Sequence, residues 1–111
     1  MKISIVIPVY NEERKINDCM QALIDLDYKK EDYEIVVVDD GSSDRTWDVI
    51  LSWTVQAEKK DIDFKNIRLE KNSGRIVARE TGVKSAKYEN ILLIDSRCIA
   101  DKNILKKIKK I

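Results

Sequence analysis

The chain begins with an apolar segment that stops at polar residues, and a second segment of the same kind follows. Residues 3–9 read Ile-Ser-Ile-Val-Ile-Pro-Val and lead into Tyr-Asn-Glu-Glu. Residues 34–38 read Glu-Ile-Val-Val-Val and lead into Asp39 and Asp40. Dense apolar runs of this length are typical of parallel strands that are covered on both faces. Two such strands with polar residues at their carboxyl ends predict the ligand-binding edge of an open α/β sheet.

Strands and helices are predicted to alternate along the chain. Apolar runs predict strands at residues 3–9, 34–38, 67–70 and 91–94. Helices are predicted after each of them, starting near residues 11, 44, 75 and 102. The order β-α-β-α-β-α-β-α predicts an α/β fold with a Rossmann-like, open and mostly parallel sheet and helices on both faces.

The first helix is indicated by an apolar stripe at helical spacing. Its members are Ile16, Cys19, Met20, Leu23 and Ile24. Asn11 is the predicted N-cap, and Glu12 and Glu13 are expected in the first turn, where the helix dipole favours negative charge. The second helix is expected to end near residue 58 and the third near residue 87.

Composition limits the class of protein. The 111 residues fit one domain spanning 1–111, and 21 basic against 20 acidic residues argue against a dedicated nucleic-acid binder. Cys19 and Cys98 are far apart and the chain has no His, so neither zinc spacing nor a disulfide framework is indicated. With no apolar run long enough to cross a bilayer and no signal-peptide pattern, we expect a soluble, cytoplasmic domain with two reduced thiols.

The lysine-rich end of the chain has two interpretations. Ile104, Leu105, Ile108 and Ile111 fall on one helical face. The lysines between them are compatible with a membrane or phosphate surface. We favour an ordinary core-facing helix with a solvated basic side.

Polar residues after the first two strands are the first candidate ligand contacts. Pro8 removes a backbone donor and marks where the strand ladder must stop, while Tyr10 offers an aromatic face and Glu12 an acceptor. The adjacent carboxylates of Asp39 and Asp40 repel each other unless they meet a cation or a donor-rich partner. Both carboxylates are expected to point outward from the strand end. For the segment at Pro8, the alternative is a plain strand end followed by a helix cap. For the segment at Asp39 and Asp40, the alternative is a solvated turn.

Later segments supply basic groups and another acid. Arg75 and Arg79 are one helical turn apart and share a face that suits phosphate oxygens, although surface pairing with Glu80 is an alternative. Asp95 follows the fourth strand, where it could bind ribose or a divalent metal, but Arg97 beside it weakens the metal signal. The chain has neither a phosphate-loop motif nor the dinucleotide-binding Gly-x-Gly-x-x-Gly motif. It also has no His and no Gly-x-Ser-x-Gly elbow, which argues against a serine or cysteine hydrolase.

In their order and spacing, four segments resemble the family 2 glycosyltransferases, which are nucleotide-sugar enzymes of the GT-A fold. The segments are residues 6–13, residues 36–44, residues 72–82 and residues 92–95. The resemblance implies inverting transfer of a sugar from a UDP-sugar or similar donor to an unknown acceptor, commonly with Mg²⁺ or Mn²⁺.

Individual roles follow from the same resemblance. It implies that Pro8, Tyr10 and Glu12 form the first nucleotide-contacting segment. It also implies that Asp39 and Asp40 read the base and ribose. Arg79 matches a basic position near the phosphates, and Asp95 matches the first acid, a metal ligand, of the Asp-x-Asp motif.

The chain departs from the family in two ways. Arg97 stands where the last acid of the Asp-x-Asp motif is expected. An arginine repels a cation but can neutralise diphosphate charge, as Arg75 can, so we expect weak or absent metal dependence. Family catalytic domains are also longer, and we expect the acceptor half and the general base to be missing, which leaves the enzymatic status open.

Two other functions compete with this prediction. A non-catalytic interaction module could keep the fold and lose the chemistry. A receiver-like signalling domain also has acidic strand ends, but it needs its acidic pair after the first strand. An unfinished sheet edge predicts self-association into a homo-oligomer.

Overall fold

The computed structural model describes residues 1–108. Four strands and four helices follow one another as predicted, with one short 3₁₀ turn at Lys30–Asp32. The strands are β1 (Ile3–Val9), β2 (Tyr33–Asp39), β3 (Asp63–Arg68) and β4 (Asn90–Leu93). The helices are α1 (Ile16–Ile24), α2 (Thr46–Lys59), α3 (Arg75–Ser85) and α4 (Ile104–Lys107).

All four strands are parallel, in the order β3-β2-β1-β4. Ile5 lies opposite Ile35 of β2 on one side and Leu92 of β4 on the other. The chain therefore adds strands on one side of β1 and then crosses to the other side. In open α/β sheets, ligands bind at the carboxyl ends of the strands where the order reverses in this way. The topology places that point between β1 and β4.

The sheet is covered on both faces, as predicted. On one face α1, α2 and α4 bury a large core that includes Ile5, Ile16, Met20, Ile50 and Leu105. On the other face α3 packs on a smaller cluster formed by Val6, Val36, Val38 and Ala78. The structure confirms the Rossmann-like α/β architecture.

The third strand differs from its prediction. It spans Asp63–Arg68 rather than 67–70. Because β3 lies at the sheet edge and is half-exposed, its first four residues are mostly polar and carry no continuous apolar signal. The turn between α2 and β3 is therefore short and spans residues 60–62.

Helix ends also differ from the prediction. The first helix begins at Ile16, and Asn11 is not its N-cap, because Asn11 has a φ of 48° and its Oδ1 accepts from Ser43 N at 2.9 Å. Glu12 and Glu13 thus precede the helix. The second helix begins at Thr46. The third ends at Ser85, where the chain turns to donate Lys87 N to the buried carboxylate of Glu34.

The end of the described chain packs on the core. Helix α4 starts two residues after the predicted position, Leu105 is buried, and Ile104 and Ile108 pack against the large core. This confirms the core-facing interpretation, while Ile111 lies outside the described residues. Within residues 1–108, no helix has the length and apolarity needed to span a bilayer. Both cysteines are free thiols, Cys19 buried and Cys98 half-buried.

Candidate functional site

A cavity of about 400 Å³ lies where the strand order reverses, between the carboxyl ends of β1 and β4 and the start of α3. Among the residues predicted from sequence, those that line it are Pro8, Tyr10, Glu12, Asp40, Arg75, Arg79, Asp95 and Arg97. Asp39 is the one predicted residue outside it. Four sequence segments thus meet at one site, which is what their placement after parallel strands predicts.

The backbone of β1 opens toward this cavity at Pro8. Val6 O accepts from Ile94 N at 3.1 Å, and β4 pairs with β1 no further than Val6. Backbone groups two residues apart on a strand point to the same side. The backbone nitrogen of Pro8 therefore faces the gap beyond the end of β4. No strand within residues 1–108 lies there to accept a hydrogen bond, so the missing N–H has no energetic cost. The prediction that the ladder stops at Pro8 holds only on this side, because β1 continues to pair with β2 as far as Val9.

Asp39 is buried beneath the site and does not point outward. Its Oδ1 accepts from the backbone N–H of Ser42 at 3.1 Å and from the Ser42 hydroxyl. Its Oδ2 has no hydrogen-bond partner within the described residues and lies 3.9 Å from Arg68 Nε. The expectation that both carboxylates project outward was wrong for this residue, because its carboxylate is buried and accepts hydrogen bonds from Ser42 in the turn that follows.

Asp40 is also buried, and its carboxylate holds the turn before α3. Oδ1 accepts from Ser73 N at 2.8 Å, and Oδ2 accepts from Gly74 N at 3.1 Å and Asn72 Nδ2 at 3.2 Å. Three N–H donors offset the cost of burying the charge. The outward orientation expected for Asp40 was therefore wrong as well, although the residue still lines the cavity.

Gly41 permits this close contact. It has a φ of 66°, and a Cβ there would lie 2.3 Å from Asn72 N. Both the left-handed backbone and the missing side chain are therefore required. Asp40 and Gly41 together set the position from which α3 starts.

Helix α3 brings two arginines to the cavity. Arg75 opens the helix and its Nη2 lies 3.9 Å from Asp95 Oδ2, while Arg79 follows one turn later. Arg79 makes no ion pair within residues 1–108. The helix N-terminus adds partial positive charge on the same side. The cavity wall formed by α3 is thus suited to an anionic ligand.

An ion pair crosses the mouth of the cavity. Arg97 Nε and Nη2 lie 3.1 and 3.0 Å from Glu12 Oε1, and this carboxylate raises the pKa of Arg97 further. Asp95 Oδ1 accepts from the backbone N–H of Arg97 at 2.8 Å. Tyr10 lines the same cavity and has 46% of its surface exposed. The cavity is therefore lined by an exposed aromatic ring and by the Glu12–Arg97 ion pair.

Other lining residues escaped sequence analysis as site residues, namely Val9, Asn72, Gly74, Ile94 and Ser96. The Asn72-Ser-Gly segment carried a visible signal, since an Asn and a Gly before a helix are typical of a turn. Val9, Ile94 and Ser96 are neighbours of predicted residues and have no chemical signature of their own.

The cavity carboxylates do not form a metal site as they stand. Divalent cations such as Mg²⁺ and Mn²⁺ need several oxygen ligands around one point. Glu12 is paired with Arg97, Asp40 is bonded to the turn, and Asp95 lies near Arg75. No group of three or more His, Cys, Asp or Glu within residues 1–108 could hold a metal ion. The carboxylates thus form no ready-made set of metal ligands within residues 1–108, and metal ligation by Asp95 stays a prediction.

Comparison with known proteins identifies the family. The family model described as Glycosyl transferase family 2 matches residues 4–110. The chain belongs to this family. It is 45% identical over 97 residues to the poly(ribitol-phosphate) beta-glucosyltransferase of Bacillus spizizenii, covering 86% of this chain and 15% of that protein. It is 35% identical over 107 residues to the Staphylococcus aureus enzyme TarS, a poly(ribitol-phosphate) beta-N-acetylglucosaminyltransferase, covering 96% and 18%.

Solved structures agree with this assignment. S. aureus TarS 1–349 in complex with UDP superposes with a TM-score of 0.82 at 34% identity, covering 96% of this chain and 30% of that one. The mannosyltransferase PcManGT from Pyrobaculum calidifontis, in complex with GDP-Man and Mn²⁺, gives a TM-score of 0.86 at 23% identity, covering 94% and 30%. The fold is of the glycosyltransferase GT-A type. The chain spans less than a third of the length of these proteins.

Proposed function

We propose that the cavity binds a nucleotide-diphosphate sugar and is the donor site of an inverting glycosyltransferase. The observation that carries this proposal is the convergence of four segments on one cavity at the strand-order reversal. The family assignment supports it, as does the similarity to TarS, which has been solved with UDP and with UDP-GlcNAc. A UDP-sugar is accordingly the donor class that we favour.

The residues divide the ligand between them by their chemistry. The exposed ring of Tyr10 offers a stacking surface for the base. Arg75 and Arg79 face the cavity at the start of α3, where guanidinium groups suit phosphate oxygens. Within residues 1–108, Asp40 Oδ1 accepts only one hydrogen bond, from Ser73 N, and so retains acceptor capacity for a base N–H or a ribose hydroxyl. The acceptor substrate and the general base are not assigned to any residue of this chain.

Isothermal titration calorimetry tests the proposal with UDP, UDP-GlcNAc and GDP. We expect saturable binding of the uridine ligands. Arg79→Ala should weaken binding by about ten- to a hundredfold, because a charge-assisted hydrogen bond contributes roughly 1.5–3 kcal/mol. Lys84→Ala removes the same charge from the exposed side of the same helix and should change nothing. Equal losses in the two variants would contradict a specific phosphate contact.

Metal dependence is proposed to be weak. Arg97 replaces the last acid of the expected motif, and the carboxylates already have cationic or N–H partners. In this arrangement the arginines supply positive charge for the diphosphate. Titration of UDP with and without Mn²⁺ should give similar affinities. A large gain of affinity with Mn²⁺ would refute this proposal.

A non-catalytic interaction module that retains the fold is the second candidate. Arg97 at the motif position favours it. Absence of any nucleotide-dependent shift in thermal melting would support this alternative over the first.

A further inference from the structure

The ion pair between Glu12 and Arg97 joins two elements that are far apart in sequence. Glu12 follows β1 and Arg97 follows β4, and both guanidinium contacts fall on the same oxygen, Glu12 Oε1, at 3.1 and 3.0 Å. The Glu12 side chain is only 13% exposed, whereas that of Arg97 is 63% exposed. The acid is thus the fixed partner and the arginine the accessible one.

The backbones on both sides of the pair are anchored. Glu12 N donates to Thr46 Oγ1 at 2.9 Å, and Glu12 O accepts from Ile16 N at 2.9 Å. Asp95 accepts from Arg97 N with its side chain and from Cys98 N with its backbone oxygen. A change of partner at the cavity mouth therefore needs only rotation of the Arg97 side chain.

Charge in the cavity is balanced before a ligand enters. Three arginines, Arg75, Arg79 and Arg97, face three carboxylates, Glu12, Asp40 and Asp95. A diphosphate adds negative charge, and it can recruit Arg97 because that side chain is largely exposed. The exchange leaves the mostly buried Glu12 carboxylate without its cation, a cost that the new phosphate contacts must exceed. Two adjacent phosphate groups also match the guanidinium fork better than one carboxylate oxygen does.

We propose that Glu12 is an internal competitor for the diphosphate. It holds Arg97 at the cavity, and a ligand with adjacent phosphates displaces it from that arginine. The inference rests on the proposed function, and it gives Glu12 a regulatory role instead of a direct contact with the nucleotide. Removal of the acid should then strengthen ligand binding, whereas a direct contact predicts the opposite.

A double-mutant cycle tests this role. UDP and inorganic pyrophosphate are titrated calorimetrically, in EDTA and at one ionic strength, into the wild type, Glu12→Gln, Arg97→Gln and the double variant. Glu13→Gln is the matched control, because Glu13 lies next to Glu12 but does not line the cavity. Thermal melting verifies that each variant is folded.

We expect Glu12→Gln to tighten both ligands by about two- to fivefold, the scale of an ion pair with one solvent-exposed partner. Arg97→Gln should weaken both, Glu13→Gln should change neither, and Glu12→Gln should have no effect in the Arg97→Gln background. Weaker binding by Glu12→Gln, no change, or equal tightening without Arg97 would overturn the competitor role while the proposed function stands. Failure of the folded wild type to bind either ligand would overturn both.

Discussion

Asp39 and Asp40 are adjacent at the end of β2, and their buried carboxylates have different partners. Consecutive side chains on a strand point to opposite faces, so the two carboxylates cannot enter one cavity together. Asp40 meets the turn before α3, and Asp39 is buried against Ser42 on the other face. Alternation alone would have separated them; the N–H donors that Asp40 meets come from 32–34 positions away and could not be read from the pattern.

Substitution at Asp40 separates a base contact from a positioning role. Asp40→Asn keeps the shape of the side chain but turns an N–H₂ toward the N–H groups of Ser73 and Gly74. If the residue mainly positions the turn and hence Arg75 and Arg79, affinity for UDP and for pyrophosphate should fall together, by about tenfold. Calorimetry with both ligands measures this. A loss confined to UDP would assign Asp40 to base reading alone.

The buried thiol of Cys19 makes the free energy of unfolding depend on pH in the alkaline range. Burial raises its pKa from an ordinary 9.0 to about 12, and Cys98 and Asp95 act in the same direction. Between these values the unfolded chain loses the proton and the folded chain does not, so the free energy of unfolding falls as pH rises. Burial raises the pKa of Tyr33 too and adds to the effect.

Denaturant titrations between pH 8 and pH 11 check this prediction. Cys19→Ser removes the titrating thiol and should make the alkaline loss of stability smaller. Cys98→Ser serves as control and should leave most of the loss in place. Equal pH dependence in wild type and Cys19→Ser would contradict it.

Among the elements, the central strands and helix α1 were the easiest to predict. Strands β1 and β2 are buried almost throughout, so their apolar runs match their observed bounds to within one residue. The stripe of α1 is buried at every predicted position. Edge strand β3 was misplaced because half-exposed strands carry polar residues. The start of α3 at Arg75 was predicted correctly, whereas that of α1 was misplaced because distant side chains set the turn at Asn11.

Gly82 tests how closely α3 approaches the sheet. A Cβ at this position would lie 2.4 Å from Val6 Cγ1 and 3.2 Å from Val38 Cγ2, both in the buried core. Gly82→Ala should therefore destabilise the protein by about 1–3 kcal/mol, despite the higher helix propensity of Ala. Chemical denaturation measures the change. Lys84→Ala on the exposed side of the same helix should shift stability by a few tenths of a kcal/mol at most, and a Gly82→Ala variant as stable as that control would show that α3 can move away.

In the molecule as a whole, the candidate ligand contacts gather at the carboxyl ends of β1 and β4. The strand-order reversal, the N-terminus of α3 and the Glu12–Arg97 ion pair all lie there, on a fold shared with glycosyltransferases. Within residues 1–108, β4 pairs only with β1. Self-association through the unpaired side of β4 stays a prediction.

Nuclear magnetic resonance of the isotopically labelled chain, titrated with UDP, tests the donor-site proposal most directly. We expect progressive, saturable shifts of backbone amides at Tyr10, Ser73, Gly74 and Arg97. The amides near Lys30 and Asp63, at the amino ends of β2 and β3, should change little. Absence of shifts at high UDP concentration, or shifts confined to those amino ends, would contradict a nucleotide site between β1 and β4.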